Sequence, residues 1–268
     1  DLITAGDVKL SGNAPATDQV RLTSLNVGSI MVDGCGWSVG VETFSADDLS
    51  SSCSSSAAPN TLIVKDGSIA HADSTTNAVY ARNSHVTLGV VDISSSDISS
   101  TNGNYVAKAS TNADIVLIDV DYNNVDCSDR STASFTVDVS SSAEVWYGGI
   151  AQVGLYRMAL VNGVSTQVFK AGHNVVATVV DSNTGSELFS VGTHITDSAG
   201  IAEVWVISED ESGNTYSDHN LRAYGAAGQN TTTAASSWYP SGGFGVGDSI
   251  DLLLEPAPMA FDQPNMDC

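Results

Sequence analysis

The chain has 268 residues, nine of them basic and 31 acidic, which gives a formal net charge of −22 at pH 7. This length allows one large or two ordinary domains. The negative electrostatic field of so acidic a chain excludes nucleic acid and anionic membrane surfaces as partners. No apolar run approaches the ~18 residues of a transmembrane helix, so we predict no transmembrane segment. Val, Ile, Thr and Ser abound while the helix formers Lys, Arg, Glu and Gln are scarce, which predicts an all-β protein.

The first half of the chain repeats one pattern, in which a polar turn separates two alternating apolar arms. The copies are VRLTSLNVGSIMVDG, TLIVKDGSIAHAD, AVYARNSHVTLGVVD, YVAKASTNADIVLIDVD and SFTVDVSSSAEVWYGG. Their second arms begin at Ile30, Ile69, Val86, Ile115 and Val145, so the steps are unequal, and the step from Ile69 to Val86 is the shortest. A stable local pattern with irregular spacing predicts a solenoid whose loops vary in length.

With this pattern, residues 1–152 resemble a right-handed parallel β-helix of the pectate-lyase-like kind. The resemblance implies stacked coils around one apolar column, with Asn and Ser at the turns. Two alternatives stay open. The step from Ile69 to Val86 is short enough for a plain hairpin, and an antiparallel sandwich with Ser-rich loops would also fit the composition.

The second half has longer strands separated by ordinary turn signals. These signals lie at 161–163, 170–172, 181–185, 197–200 and 212–214. Such spacing is typical of an all-β sandwich, and the run VVATVVDSNTGSELFSVGTHITDSAGIAEVWVISED is similar to Ig-like or transthyretin-like extracellular modules. We therefore predict a β-sandwich over residues 153–258, followed by a tail, 259–268, that Cys268 would pin.

The four cysteines show no CxxC and no Cys/His spacing, which argues against zinc. Their even number predicts two disulfides. Of the three pairings we favour Cys35–Cys53 and Cys127–Cys268, with free thiols in a cytosolic protein as the alternative. Asn230 begins an Asn-Thr-Thr sequon, which would be glycosylated in an exported protein.

One acidic stretch begins like a calcium loop. Asp119, Asp121 and Asn123 alternate, and Asp126 follows closely. Oxygen ligands at alternating positions can converge on one cation, so Ca²⁺ is the cofactor that this stretch would bind. An EF-hand is excluded because the sixth position is not Gly and the twelfth is not Glu. The alternative is a solvated turn.

Three basic residues occupy outward-facing positions in the first arm of successive copies, namely Lys65, Arg82 and Lys108. They are the candidate contacts for an acidic glycan. In polysaccharide lyases of the resembled fold, Lys or Arg beside Ca²⁺-binding carboxylates removes the proton next to a uronate carboxyl. The alternative is that each cation pairs with a neighbouring carboxylate.

Two further patterns are excluded as sites. Residues 36–40 read G-x-S-x-G, but no helix follows, so a nucleophile elbow does not form. The five histidines have no partner two or four residues away, which indicates isolated surface or turn residues.

Together, these features predict a secreted or cell-surface protein, and the start at Asp1 is typical of a processed product. We predict a structural role in a surface layer or filament rather than an enzyme. Copies would associate through exposed β-edges or the N-terminal strand 1–10. The alternative is a carbohydrate-active β-helix protein, either a polysaccharide lyase or a glycan-binding module for acidic glycans.

Overall fold

The computed structural model describes residues 3–14, 19–72, 76–95, 105–123, 125–126, 137–140, 142–181, 183–226, 236–238 and 243–254. Every regular element in these ranges is a β-strand, so the all-β prediction is confirmed. None of the described segments is a helix able to cross a membrane. The chain forms two compact units, the first comprising Asp1–Ile150 and Trp205–Ser217, the second Ala151–Val204 and Asp218–Cys268.

The strands of the first half are β1 (Ile3–Ser11), β2 (Gln19–Asp33), β3 (Ser38–Ala46), β4 (Asp48–Ser52), β5 (Asn60–His71), β6 (Val79–Arg82), β7 (Ser84–Ser95), β8 (Ala107–Ser110), β9 (Asp114–Tyr122), β10 (Val125–Asp126) and β11 (Val137–Ser140). Those that follow are β12 (Glu144–Val161), β13 (Val164–Phe169), β14 (His173–Val180), β15 (Glu187–Ser190), β16 (His194–Ile195), β17 (Ile201–Asp210), β18 (His219–Ala226), β19 (Ser236–Trp238) and β20 (Ser249–Leu253).

Two parallel ladders organise the first unit. One runs through β2, β3, β5, β7, β9 and the start of β12, and the other through β1, β2, β4, β6, β8 and β11. In the first ladder, the sequence separation between paired residues of neighbouring strands is smallest from Gln19 to Ser38 and largest from Asp114 to Glu144. The antiparallel alternative is wrong for these ladders, because every pair in them is parallel.

The register corrects part of the predicted repeat alignment. Val86, Ile115 and Val145 do occupy one column of partner positions. Ile30 and Ile69 lie in other columns. The reason is that β6 follows β5 in the chain but pairs with β4 and β8 in the other ladder, so the step from Ile69 to Val86 is not one rung. The hairpin alternative is also wrong, because β5 and β7 are parallel.

The core follows from alternation along strands that are in register. In β5, Leu62 and Val64 are fully buried, while Ile63 and Lys65 face the other side. Equivalent inward residues of successive strands stack in a column, formed by Val39, Leu62, Val86, Ile115 and Val145. Each such burial contributes about 1.5–3 kcal/mol.

Five strands of the first ladder bend at a common position. The residue there has a left-handed backbone with φ between 50° and 59°, and in chain order it is Ser24, Thr43, Asp66, Val90 or Asp119. The partner registers skip this residue in every pair, so the five bends lie side by side. Left-handed φ is costly for side-chain-bearing residues, and its recurrence fixes a corner in each strand.

The outer face of the first ladder, on the side opposite the buried columns, is covered by described residues at its later strands. Val116 and Ile118 of β9 point outward by alternation, yet both are buried. Trp205–Ser217, which belongs to the same unit, lies over this region. A Cβ built on Gly89 would lie 2.2 Å from the ring of Trp205, so the ring rests directly on the strand.

The second unit contains an antiparallel sheet centred on β14, which pairs with β15, β16 and β18, and β18 pairs with β19. The end of β12 pairs antiparallel with β13 and parallel with β20. Asn162 and Gly163 connect β12 to β13 with φ values of 52° and 80°. Positive φ at both central residues is typical of a type I′ hairpin turn, which the sequence had indicated there.

Candidate functional site

The register of the first ladder brings three titratable residues into one outward-facing row. His85 of β7 lies opposite Asp114 of β9, and Asp114 lies opposite Glu144 of β12. Each immediately precedes an inward residue of the buried column, so each is turned to the outer face. His85 Nδ1 and Asp114 Oδ2 are 2.6 Å apart.

The hydrogen bond that the His85 Nδ1–H donates to the Asp114 carboxylate raises the pKa of His85, and partial burial opposes this shift. His85 therefore keeps its proton to a higher pH than an unperturbed histidine. The pair can bind an anion or a hydroxyl group while protonated, and it can release a proton as the pH rises.

Glu144 has a different environment in the same row. Burial raises its pKa, and the nearby negative charges of Asp114, Glu211 and Asp210 raise it further. Glu211 also accepts a hydrogen bond from the backbone N–H of Val145 at 3.0 Å, which fixes its carboxylate beside the row. A carboxyl whose pKa is raised beside other carboxylates keeps its proton to a higher pH than usual, which is the direction that a general acid needs.

Asp210, which contributes to this field, stays ionised. Burial raises its pKa, but hydrogen bonds from Asn214, Tyr216 and the backbone N–H of Ser212 outweigh the burial, and the net shift is downward. Glu144 and Asp210 are thus two carboxyls whose pKa values diverge. Within the described residues, no three His, Cys, Asp or Glu side chains are grouped so as to hold a metal ion.

The predicted calcium ligands are distributed along β9 and beyond its end. Asp119 occupies the left-handed bend, and Asp121 lies opposite Asp126 in the short antiparallel pair of β9 and β10. The Asn123 side chain is held by the backbone of Ser95, since its Oδ1 accepts from the Ser95 N–H and its Nδ2 donates to the Ser95 carbonyl, each at 3.0 Å. This amide links two strands, which competes with ligation. The Asp126 side chain is outside the described residues.

The three cations proposed as glycan contacts are not in one row. Lys65 belongs to the first ladder and forms an ion pair with Glu42, with Nζ and Oε1 3.1 Å apart. Arg82 and Lys108 lie on neighbouring strands of the second ladder, β6 and β8. Lys108 pairs with Asp138 at 2.7 Å, and this hydrogen bond raises the pKa of Lys108. A catalytic base at neutral pH needs the opposite shift.

Of the two favoured disulfides, one lies within the described residues. Cys35 and Cys53 are bonded, with their Cα atoms 4.8 Å apart, and they join the ends of β2 and β4. Cys127, Cys268 and the sequon residue Asn230 lie outside the described residues.

The G-x-S-x-G stretch does not form a nucleophile elbow. Ser38 is the first residue of β3, lies between Gln19 and Thr61 in the ladder, and is followed by a strand. His219, in the second unit, is buried and its Nδ1 lies 2.6 Å from the Phe244 carbonyl oxygen. Burial lowers the pKa of His219, so this ring is neutral near pH 7.

Sequence reasoning missed the row of His85, Asp114 and Glu144 because it looked for partners nearby in the chain. The partners lie on the neighbouring strand of the ladder, about 30 residues further along the sequence in each case, since His85 pairs with Asp114 and Asp114 with Glu144. These residues directly precede Val86, Ile115 and Val145, which the repeat alignment had already placed together. Comparison of the chain with models of protein families, with curated proteins and with solved structures finds no match.

Proposed function

We propose that this chain is an extracellular structural protein whose copies associate through exposed strand edges. Its first unit would be a short parallel β-helix and its second an Ig-like module. The observation that carries this proposal is the pairing of β1. In both ladders parallel strands stack in register, and β1, at one end of the second ladder, has β2 as its single neighbour among the described strands.

The β-helix is supported by the connectivity of the two ladders. Both contain only parallel pairs, and the chain makes a long excursion between successive partners, as from Gln19 to Ser38 or from Asp114 to Glu144. Each coil would contribute one strand to each ladder, which matches the alternation of β5, β6, β7, β8 and β9 between them. The Ig-like module is supported by the antiparallel sheet around β14.

Export is supported by the disulfide and by the composition. A Cys35–Cys53 bond is typical of oxidising compartments. A net charge of −22 keeps separate copies soluble until a specific contact forms.

The edge of β1 is the contact that we propose for association. Over Ile3–Ser11, β1 pairs parallel with β2 and, in the part of the chain that the structure describes, with no other strand. The Gly12 N–H donates to the Asp33 carbonyl at 2.9 Å. By alternation, the N–H groups of Asp7 and Lys9 point away from β2. An unpaired edge of this kind templates strand addition, and a head-to-tail contact propagates into a filament.

The experiment compares the wild-type chain with Asp7→Pro and Asp7→Ala. Proline removes an outward N–H without breaking the bonds to β2, whereas alanine retains it. We expect sedimentation velocity and negative-stain electron microscopy to show oligomers or filaments for wild type and Asp7→Ala. Asp7→Pro should be monomeric. A wild-type chain that stays monomeric at high concentration would refute the proposal.

A carbohydrate-active protein is the second candidate, and the row of His85, Asp114 and Glu144 favours it. A carboxyl with a raised pKa beside an ionised one suits glycoside or uronate chemistry. The test is depolymerisation of acidic polysaccharides with and without Ca²⁺ by wild type, Glu144→Gln and Lys108→Ala. Cleavage that Glu144→Gln abolishes would establish this function, and cleavage that Lys108→Ala abolishes would assign it to the basic residues instead.

A further inference from the structure

The hairpin formed by β12 and β13 in the second unit has a strand edge that no described strand covers. The arm, as we call residues Tyr156–Lys170, consists of the end of β12, the turn at Asn162 and Gly163, and β13. Among the described strands, β13 has β12 as its single neighbour. The other edge of β13 therefore presents backbone groups that no described strand pairs.

The side chains of the arm are apolar and exposed. Leu160 is 79% exposed, Val164 65% and Met158 49%. By alternation, Met158 and Leu160 lie on one face of the hairpin, and Val164 lies on the other face beside its partner Val161. Exposed aliphatic side chains therefore flank the free strand on both faces, and exposed apolar surface of this kind marks interaction sites on soluble proteins. Burying them against a partner would contribute free energy that folding of the chain leaves unused.

The arm is also positive in a strongly acidic chain. From Val145 to Val180 there is no Asp or Glu, although the whole chain has 31. Arg157 and Lys170 have no carboxylate partner among the described residues, in contrast to the ion-paired cations of the first unit, Lys9, Lys65 and Lys108. The Nε of Arg157 is buried without a hydrogen-bond acceptor in the described part of the chain.

We propose that the arm binds a second copy of this chain, with the free edge of β13 adding to the open edge of β1. This inference rests on the proposed self-association and names its second surface. Charge favours the pairing, since the arm contains Arg157 and Lys170 but no Asp or Glu, whereas residues 1–18 contain three Asp and one Lys. Lys9 itself forms an ion pair with Asp33, with Nζ and Oδ2 3.1 Å apart, so its charge is offset within the same copy.

Other occupants fit less well. Two arms facing each other would bring four cations together with no carboxylate of either arm between them, which disfavours a symmetric contact between hairpins. Nucleic acid and anionic membranes would meet the basic arm but also the field of a chain with net charge −22. A second copy supplies both an acidic surface and an unpaired strand edge.

A complementation experiment tests the inference. The arm-defective variant carries Leu160→Ser and Lys170→Glu, which remove one exposed aliphatic side chain and one cation of the arm and leave the β1 edge intact. The edge-blocked variant carries Asp7→Pro and leaves the arm intact. We expect each variant alone to be monomeric by sedimentation velocity. An equimolar mixture should form 1:1 dimers that grow no further, because each dimer has one functional contact and two defective surfaces.

The matched control carries Arg82→Glu and Leu188→Ser, which make the same change in charge and also replace one exposed leucine, but outside the arm. It should assemble like wild type, and circular dichroism should show all variants folded. If wild type assembles and the arm-defective variant does so equally well, the arm is not the contact and self-association stands. If wild type is monomeric, both proposals fail. Dimers of the edge-blocked variant alone, or a mixture without dimers, would also overturn the assignment of β1.

Discussion

β5 and β9 are strands of the same ladder and differ in what covers them. β5 alternates buried and partly exposed residues, so one face meets the core and the other meets solvent. β9 is buried at four consecutive positions, Ile115 to Ile118, because Trp205–Ser217 lies over the outer face of the later strands. The same backbone position therefore tolerates a cation in β5 and requires an aliphatic side chain in β9. The two strands thus differ in side-chain requirement because Trp205–Ser217 covers the outer face of β9, and not because their backbone geometry differs.

The largest expected effect comes from one column that contains both environments. Lys65 of β5 and Ile118 of β9 are equivalent outward positions, each in register with Gly89 of β7. Ile118→Ala should lower the free energy of unfolding by about 2–5 kcal/mol, because Ile118 is fully buried. Lys65→Ala should change it by less than about 1 kcal/mol, since its ion pair is exposed. Urea denaturation measures both, and equal losses would contradict the comparison.

The covered and open parts also differ at glycines. Gly89→Ala would push a Cβ into the Trp205 ring, at 2.2 Å, and should destabilise by about 1–3 kcal/mol. Gly40→Ala meets no atom within 4 Å and should be neutral or stabilise by up to about 1 kcal/mol, because alanine restricts the unfolded chain. Thermal unfolding of both variants provides the measurement. A lower midpoint for Gly40→Ala would show that the early outer face is covered after all.

The bend position yields a smaller effect. Val90 is β-branched with φ 55°, and its side chain is substantially exposed. Val90→Asn should stabilise by about 0.5–1 kcal/mol, because asparagine adopts left-handed φ at lower cost and little burial is lost. The equivalent Asp66→Asn should change stability less, as aspartate already tolerates this conformation. An unchanged midpoint for Val90→Asn would mean that the bend is not strained.

The smallest effect concerns pH. His85 has a raised pKa in the folded chain, so its pair with Asp114 stabilises below the unfolded value of about 6.5, and this contribution is lost as pH rises through the folded pKa. Asp114→Asn should thus cost a few tenths of a kcal/mol near pH 6 and less at pH 8. Thr61→Ala, in the equivalent position of β5, is the control without pH dependence. NMR titration of His85 should show its pKa falling in Asp114→Asn.

Part of the ladder was predictable because two steps of the repeat, from Val86 to Ile115 and from Ile115 to Val145, correspond to true rungs. The short step from Ile69 to Val86 misled the alignment because local patterns do not show which ladder a strand joins. The continuous apolar run at 115–118 is typical of a strand buried on both faces, as β9 is, but the repeat alignment did not use it. That Trp205–Ser217 provides the cover could not be inferred, since this segment lies far along the chain. The position of Glu211 beside Glu144 could not be inferred either, because Glu211 belongs to the same distant segment.

The loop after Cys53 has a consequence for how this architecture can be extended. Residues 54–58 are exposed, and the chain re-enters the ladder where the Thr61 N–H donates to the Trp37 carbonyl at 2.8 Å. The coils already differ in length without loss of register, since the chain advances further from Asp114 to Glu144 than from Gln19 to Ser38. Doubling the length of such a loop costs only about 0.6 kcal/mol in closure entropy. Foreign peptides inserted at this loop would therefore be displayed at a fixed position while the columns beneath them stay aligned.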